Sequence, residues 1–207
     1  MNETMKEYVI YKNPKGEEIK IIEDFFSNEI LEKILDYFKD FKWKCQCQKD
    51  ENTSNYSGDK PYWRIELEED IFFNSFLKNI IEKYFINSKL NNSNTVSVEY
   101  STKLPFNLYK LNRVYVVGQT YGQDSVFHID DDQPNTYTFC YYINENSHIQ
   151  GDGLFHLKVP NEKYIITIEP LMNRAVIFPS GYRHKGCGLS RFNENFRICI
   201  AWKFKIL

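Results

Sequence analysis

His128 and Asp130 stand two residues apart in the stretch Val126-Phe-His-Ile-Asp-Asp-Asp132. On an extended segment alternate side chains share a face, so an imidazole nitrogen and a carboxylate oxygen can close on one small ion while Ile129 turns away. A third ligand is required. His184 is the candidate, because it follows a strand-like run, Ala175-Val-Ile-Phe178, and a turn, Pro179-Ser-Gly181. Two histidines and one carboxylate gathered on one side of an ion leave the opposite positions open, which suits non-haem Fe(II). The same ligands also suit zinc, which would make the chemistry hydrolytic. His148, in a polar loop, and His156, inside a strand-like run, are expected at the surface or packed. Asp131 and Asp132 extend the acidic run as solvated or capping residues, with substrate contact as the alternative.

Such a site needs a domain around it. The 207 residues, 42% hydrophobic and 16% aromatic, suffice for one domain with a sizeable core. A net charge of −2 gives no long-range attraction to phosphate backbones or anionic lipid, and the lysines are scattered, so neither nucleic acid nor membrane is an expected partner. No apolar run approaches the length of a spanning helix, and the acidic N-terminal residues lack a signal peptide's apolar segment; an intracellular location is expected. The five cysteines, at positions 45, 47, 140, 187 and 199, include only one close pair, which reads as reduced, packed thiols better than as a zinc site.

The elements fall into two groups. Tyr8 to Tyr11 and Glu18 to Ile22 form a hairpin around Asn13-Pro-Lys-Gly16. Ser27 caps a helix over Asn28 to Phe38, and a second helix runs from Ile71 to Phe85; both carry an apolar stripe that packs on a sheet. Between them, Gln48 to Lys60 is polar and loop-like, either a surface excursion or a lid over a site. Asn87 to Asn94 is a low-complexity connector. Short strand-like runs then follow at Val96 to Tyr100, Asn107 to Val117, Ser125 to Asp130, Tyr137 to Ile143, Gly153 to Val159, Tyr164 to Ile168, Ala175 to Phe178 and Phe196 to Phe204. This succession predicts a mainly β barrel or double-sheet jelly roll from about residue 95 onward, buttressed by the N-terminal helices in one domain. No internal repeat is visible.

Fe(II) needs a source of two further electrons to use dioxygen, and in one large class that source is 2-oxoglutarate. Its far carboxylate calls for a buried cation, and a planar arginine offers two parallel donors. Arg197 is the candidate: on the last strand it shares a face with Cys199 and Ala201, while Ile198, Ile200 and Trp202 share the other.

In this order His128-Ile-Asp130, Thr138-Phe-Cys-Tyr-Tyr-Ile-Asn144, Gly151-Asp-Gly-Leu154, Ile168-Glu-Pro170, Phe178-Pro-Ser180, His184, Arg197 and Trp202 make the sequence resemble the Fe(II)/2-oxoglutarate-dependent dioxygenases, in their prolyl-hydroxylase branch. The resemblance spans roughly Leu108 to Phe204. It implies a double-stranded β-helix, iron held by His128, Asp130 and His184, and a 2-oxoglutarate pocket lined by Thr138 and Tyr142. Tyr142 would donate its hydroxyl to the carboxylate that Arg197 clamps, and Tyr121 is a further contact to the co-substrate. It also implies dioxygen as substrate and ascorbate as an accessory reductant. Related halogenases lack the ligand carboxylate, so Asp130 favours hydroxylation. The expected substrate is a protein or peptide side chain, proline first. A free amino acid or other small molecule is the alternative within the class, and a non-catalytic jelly-roll binding module the alternative outside it.

Two departures from the family's pattern stand out. Arg197 follows His184 later than the family's basic residue follows its distal histidine, across a lengthened turn at Leu189 to Asn195, which makes Arg191 a rival. The family's Gly-Gly is Gly151-Asp-Gly153 here. Oligomeric state is left open.

Overall fold

The computed structural model describes residues 6–39, 42–46, 62–81, 109–144 and 151–207. The predicted loop at Gln48 to Lys60, the connector at Asn87 to Asn94, the strand at Val96 to Tyr100, Cys47 and His148 lie outside these residues.

Strands β1 (Lys6–Lys12) and β2 (Glu18–Glu23) form the predicted hairpin. Helix α1 (Asn28–Lys39) begins at the predicted cap, the Leu31 amide donating to the Ser27 carbonyl at 2.9 Å. Helix α2 (Ile71–Ile81) is capped by Asp70, whose Oδ1 accepts from the amides of Phe72 and Phe73 at 2.9 and 3.2 Å. Its predicted continuation to Phe85 falls outside the described residues.

The remaining strands are β3 (Lys44–Gln46), β4 (Tyr62–Glu66), β5 (Tyr109–Gln119), β6 (Thr136–Tyr142), β7 (Phe155–Lys158), β8 (Ile165–Ile168), β9 (Arg174–Pro179), β10 (Arg183–Gly186) and β11 (Arg197–Ile206). Eight join one antiparallel sheet in the order β1-β2-β9-β6-β11-β5-β4-β3, and three form a second in the order β10-β7-β8. From β5 onward the chain passes back and forth between the two sheets, which is the predicted jelly roll. β3 and β4 escape the sequence reading because both are short and β4 alternates aromatic and aliphatic residues with Arg64 and Glu66.

Ser125 to Asp130, by contrast, is not the strand the sequence predicts. It makes one isolated antiparallel bridge, His128 with His184, and the Ser125 amide adds a single bond to the Gly186 carbonyl at 3.0 Å. The amide of Asp130 turns instead to the Ser180 carbonyl at 3.0 Å, which ends the pairing.

Strand alternation gives the large sheet two different faces. Val114, Val116, Phe139, Tyr141, Ile200 and Trp202 pack beneath α1 and α2, and Trp202 donates its indole N–H to the Phe73 carbonyl at 2.9 Å. Truncating one of these buried aromatic side chains to alanine costs about 3–5 kcal/mol. Tyr115, Cys140, Tyr142, Cys199 and Ala201 face the small sheet, against Phe155 and Leu157. The cavity described next opens within that second layer. No helix among the described residues is long and apolar enough to cross a membrane.

Candidate active site

The bridge between His128 and His184 brings the two imidazoles together. The His128 amide donates to the His184 carbonyl at 3.0 Å and the reverse bond is 2.9 Å, leaving ring centroids 4.4 Å apart. Each Nδ1 sits 2.9 Å from a backbone carbonyl, that of Val126 for His128 and that of Tyr182 for His184. A carbonyl oxygen only accepts, so Nδ1 is the donor nitrogen of each ring and, in the neutral form, Nε2 is the one that offers a lone pair. Both Nε2 atoms face the Asp130 carboxylate, at 3.6 Å from Oδ1 for His128 and 3.4 Å from Oδ2 for His184. One donor atom from each of the three residues lies within 4.8 Å of the others. Ligands about 2.1 Å from an ion and at right angles are roughly 3 Å apart, so the three fit a divalent ion with little rearrangement.

Asp130 is held on every side. Its side chain is 1% exposed, Thr138 Oγ1 donates to Oδ2 at 2.7 Å, and Lys203 Nζ donates to Oδ1 at 2.5 Å. Burial alone would raise its pKa, but the charges of His184, Lys203 and His128 outweigh that and hold the carboxyl below the usual range. His184 moves down to about 4, because burial disfavours the imidazolium more than Asp130 favours it. The Tyr115 ring lies 4.9 Å from Lys203 Nζ and 3.9 Å from the Arg64 guanidinium; burial pushes its hydroxyl up to about 12.

The other end of the cavity is built for an anion. Arg197 is 2% exposed; its Nε donates to the Gly153 carbonyl at 2.6 Å and a terminal nitrogen to Gln119 Oε1 at 2.7 Å. Among the described residues no carboxylate pairs with it. Its guanidinium carbon lies 5.3 Å from the Tyr142 ring, and the buried Tyr142 hydroxyl has no hydrogen-bond partner among the described residues. Burial raises that hydroxyl's pKa, so it stays a donor. Gly186 leaves the space open: a Cβ there would lie 3.1 and 3.2 Å from the two terminal guanidinium nitrogens. A buried cation without a counter-ion and a buried hydroxyl without an acceptor are both costly, and a carboxylate ligand satisfies both.

Both departures from the family's pattern meet in Asp152. Its Oδ1 accepts from the Ser190 amide at 2.6 Å, and its Oδ2 from Ser190 Oγ and Asn193 Nδ2 at 3.1 and 3.2 Å. The aspartate between the two glycines is therefore the anchor of the lengthened turn. That turn carries Arg191 to the surface, its guanidinium over the Phe192 ring at 4.7 Å, and leaves the buried position to Arg197.

Other predicted residues divide. Thr138 lines the cavity but bonds Asp130 and Ser180 Oγ, the latter at 3.0 Å. Tyr121 is 67% exposed on the turn after β5 and is not among the residues lining the cavity, whereas Gln119 of β5 reaches Arg197. His156 lies on the outer side of β7, its Nδ1 3.0 Å from Thr167 Oγ1. Asp131 accepts from the Gln133 amide at 2.9 Å and from Asn112 Nδ2 at 3.3 Å, in the turn that leads into β6. Cys140 and Cys199 are buried in the cavity wall and Cys45 is exposed, all as free thiols. Lys203, Gln119, Tyr115 and Arg64 were missed. For Lys203 a signal existed, since it continues the Arg197, Cys199, Ala201 face, where a charge must find a buried partner.

No protein-family model and no curated protein matches the chain. Solved structures do. A prolyl hydroxylase of Trichoplax adhaerens, in complex with a hypoxia inducible factor oxygen degradation domain peptide fragment, aligns with a TM-score of 0.59 at 18% identity, over 91% of this chain and 83% of that one. A Pseudomonas putida prolyl-4-hydroxylase gives 0.58 at 13%, over 91% and 92%. The viral collagen prolyl hydroxylase of Paramecium Bursaria Chlorella virus-1, in complex with 2-oxoglutarate, gives 0.55 at 15%, over 91% and 96%. At these identities the likeness establishes the fold: the chain has the jelly roll of the 2-oxoglutarate and Fe(II) oxygenases.

Proposed function

We propose that the chain is an Fe(II)/2-oxoglutarate-dependent dioxygenase that hydroxylates a protein or peptide side chain, with proline as the first target. The observation that carries this reading is the pairing of two sites in one cavity. A His-Asp-His group with both Nε2 lone pairs turned inward stands at one end, and an uncompensated Arg197 beside the unpartnered Tyr142 hydroxyl at the other. A zinc hydrolase would have no use for the second, and a non-catalytic module would have no reason to keep the first intact.

His128, Asp130 and His184 would hold the iron, and Arg197 with Tyr142 would clamp the far carboxylate of 2-oxoglutarate. When bound, iron and co-substrate supply the oxidising chemistry: decarboxylation of 2-oxoglutarate to succinate and CO2 provides two electrons, and one atom of dioxygen enters a substrate C–H bond as hydroxyl. The protein's own contribution is positional. Gln119 and Gly153 aim the guanidinium, the backbone bridge aims the imidazoles, and the rings of Phe178 and Phe155, 4.8 and 5.7 Å from His184, keep water from its buried side. Prolyl hydroxylation is supported by the order of motifs along the barrel and by the fold shared with prolyl hydroxylases, one of them solved with a peptide.

The test is succinate formation from 2-oxoglutarate with Fe(II), ascorbate and air, for the native chain and for His128→Ala, Asp130→Ala and Arg197→Ala, with proline-containing peptides set against free amino acids. Succinate from the native chain alone, raised by peptide, is the expected result. Stimulation by free amino acids but by no peptide would move the substrate to the small-molecule class, and absence of both metal and 2-oxoglutarate binding would refute the oxygenase reading.

A further inference from the structure

Lys203 ends the inward face of β11 beside the metal group. Its side chain is 15% exposed, its Nζ is 2.5 Å from Asp130 Oδ1, and that same oxygen is 3.6 Å from His128 Nε2. The ammonium and an ion bound between the imidazoles would therefore share one carboxylate. Around Lys203 the described neighbours offer no second carboxylate: the Tyr115 hydroxyl shares a hydrogen bond with it, the ring being 4.9 Å away, and beyond it Arg64, stacked at 3.9 Å, is paired with Glu66 at 2.6 Å. In the metal-free chain the ammonium is the counter-ion that a buried carboxylate requires. Once a divalent ion is in place it becomes a like charge next to that ion, in surroundings of low polarity that screen it poorly.

We propose that Lys203 is a positioning residue that acts on the metal through Asp130, a built-in competitor of the metal ion. This rests on the metal-binding reading given above. In the metal-free chain Lys203 holds the Asp130 carboxylate by its Oδ1, and it weakens the grip on the divalent ion, so that the ion stays exchangeable. Removing the charge relieves the repulsion in the metal-bound state and destabilises the metal-free state, and both changes act in the same direction.

The test uses the full chain stripped of metal with a chelator and titrated with Co2+. Affinity is read by calorimetry and by the visible absorption of the bound ion, and the rise in melting temperature at saturation is recorded. Lys203→Gln keeps a donor toward Asp130 without the charge, Lys203→Met removes both, and Lys203→Arg keeps the charge. The inference expects Gln and Met to bind Co2+ about tenfold or more tighter than the native chain, with a larger metal-dependent rise in melting temperature, and Arg to stay within about threefold of native. Equal or weaker binding by the neutral variants overturns it, since a merely structural lysine would lose affinity on removal. If Lys203→Met does not fold, Lys203→Gln decides alone. A native chain that binds no Co2+ refutes the metal reading and this inference together, whereas a native chain that binds it, with neutral variants unchanged, refutes this inference alone.

Discussion

His128 and His184 exchange two backbone hydrogen bonds, 3.0 and 2.9 Å long, and through them two segments far apart in sequence present their imidazoles to one carboxylate. The join is made by main-chain atoms. Alanine at either position removes a ligand and leaves the join. His128→Ala and His184→Ala should each keep the native circular dichroism spectrum while Co2+ binding, measured by calorimetry, falls by about 100-fold or more. A collapsed spectrum would mean the imidazoles themselves hold the sheets together.

Arg197 and Arg191 are separated by burial. Arg197→Met should weaken 2-oxoglutarate binding about 100-fold, because a buried charge-assisted pair is lost, and Arg197→Lys should restore part of it as a single point charge. Arg191→Ala should bind within about twofold of native. Equal losses at both positions, in a fluorescence or calorimetric titration, would undo the assignment of the clamp.

Tyr142→Phe makes a contrary pair of expectations. The hydroxyl has no partner among the described residues, so removing it should leave the free protein as stable as native or about 1 kcal/mol more stable by urea titration. The affinity for 2-oxoglutarate should fall about tenfold in the same variant. A destabilised free protein would show that the hydroxyl already has a partner.

Acid should weaken the metal-free chain through His184, whose pKa falls from 6.5 to about 4 on folding, chiefly by burial. The unfolded chain then binds the extra proton first as pH drops, so this stability is complete above about pH 6.5 and is lost as pH falls toward 4. The shift corresponds to about 3 kcal/mol. Asp130, depressed by His184, Lys203 and His128 against the effect of burial, adds a further loss only below the ordinary carboxylate range. Urea titrations of metal-free protein from pH 7 to 4 should show the first slope, and His184→Gln should abolish it. A flat native profile would mean the ring is not buried as the neutral form.

Residue order alone determined the parts of this protein that depend on local pattern. The strand alternation of β11 already placed Arg197, Cys199 and Ala201 on one side and Ile200 and Trp202 on the other, because period two is a property of the extended backbone. The candidate metal group was legible because His128 and Asp130 are followed in order by His184 and Arg197, the spacing of two being common by itself, and the succession of short strands pointed to the jelly roll. Tertiary structure alone decided what depends on neighbours across the sheets. The segment before Asp130 has the pattern of a strand, yet it meets β10 only at Ser125, which bonds Gly186, and at His128, which makes a single isolated bridge with His184. The lengthened turn depends on Asp152 holding Ser190 and Asn193, and with it Arg191 lies exposed while Arg197 is buried beside the cavity. Tyr121, close in sequence to the site, turns to solvent, while Lys203, distant in sequence, ends 2.5 Å from Asp130. Each of these rests on strands brought side by side by long-range pairing, and no local pattern of side chains encodes which strands those will be.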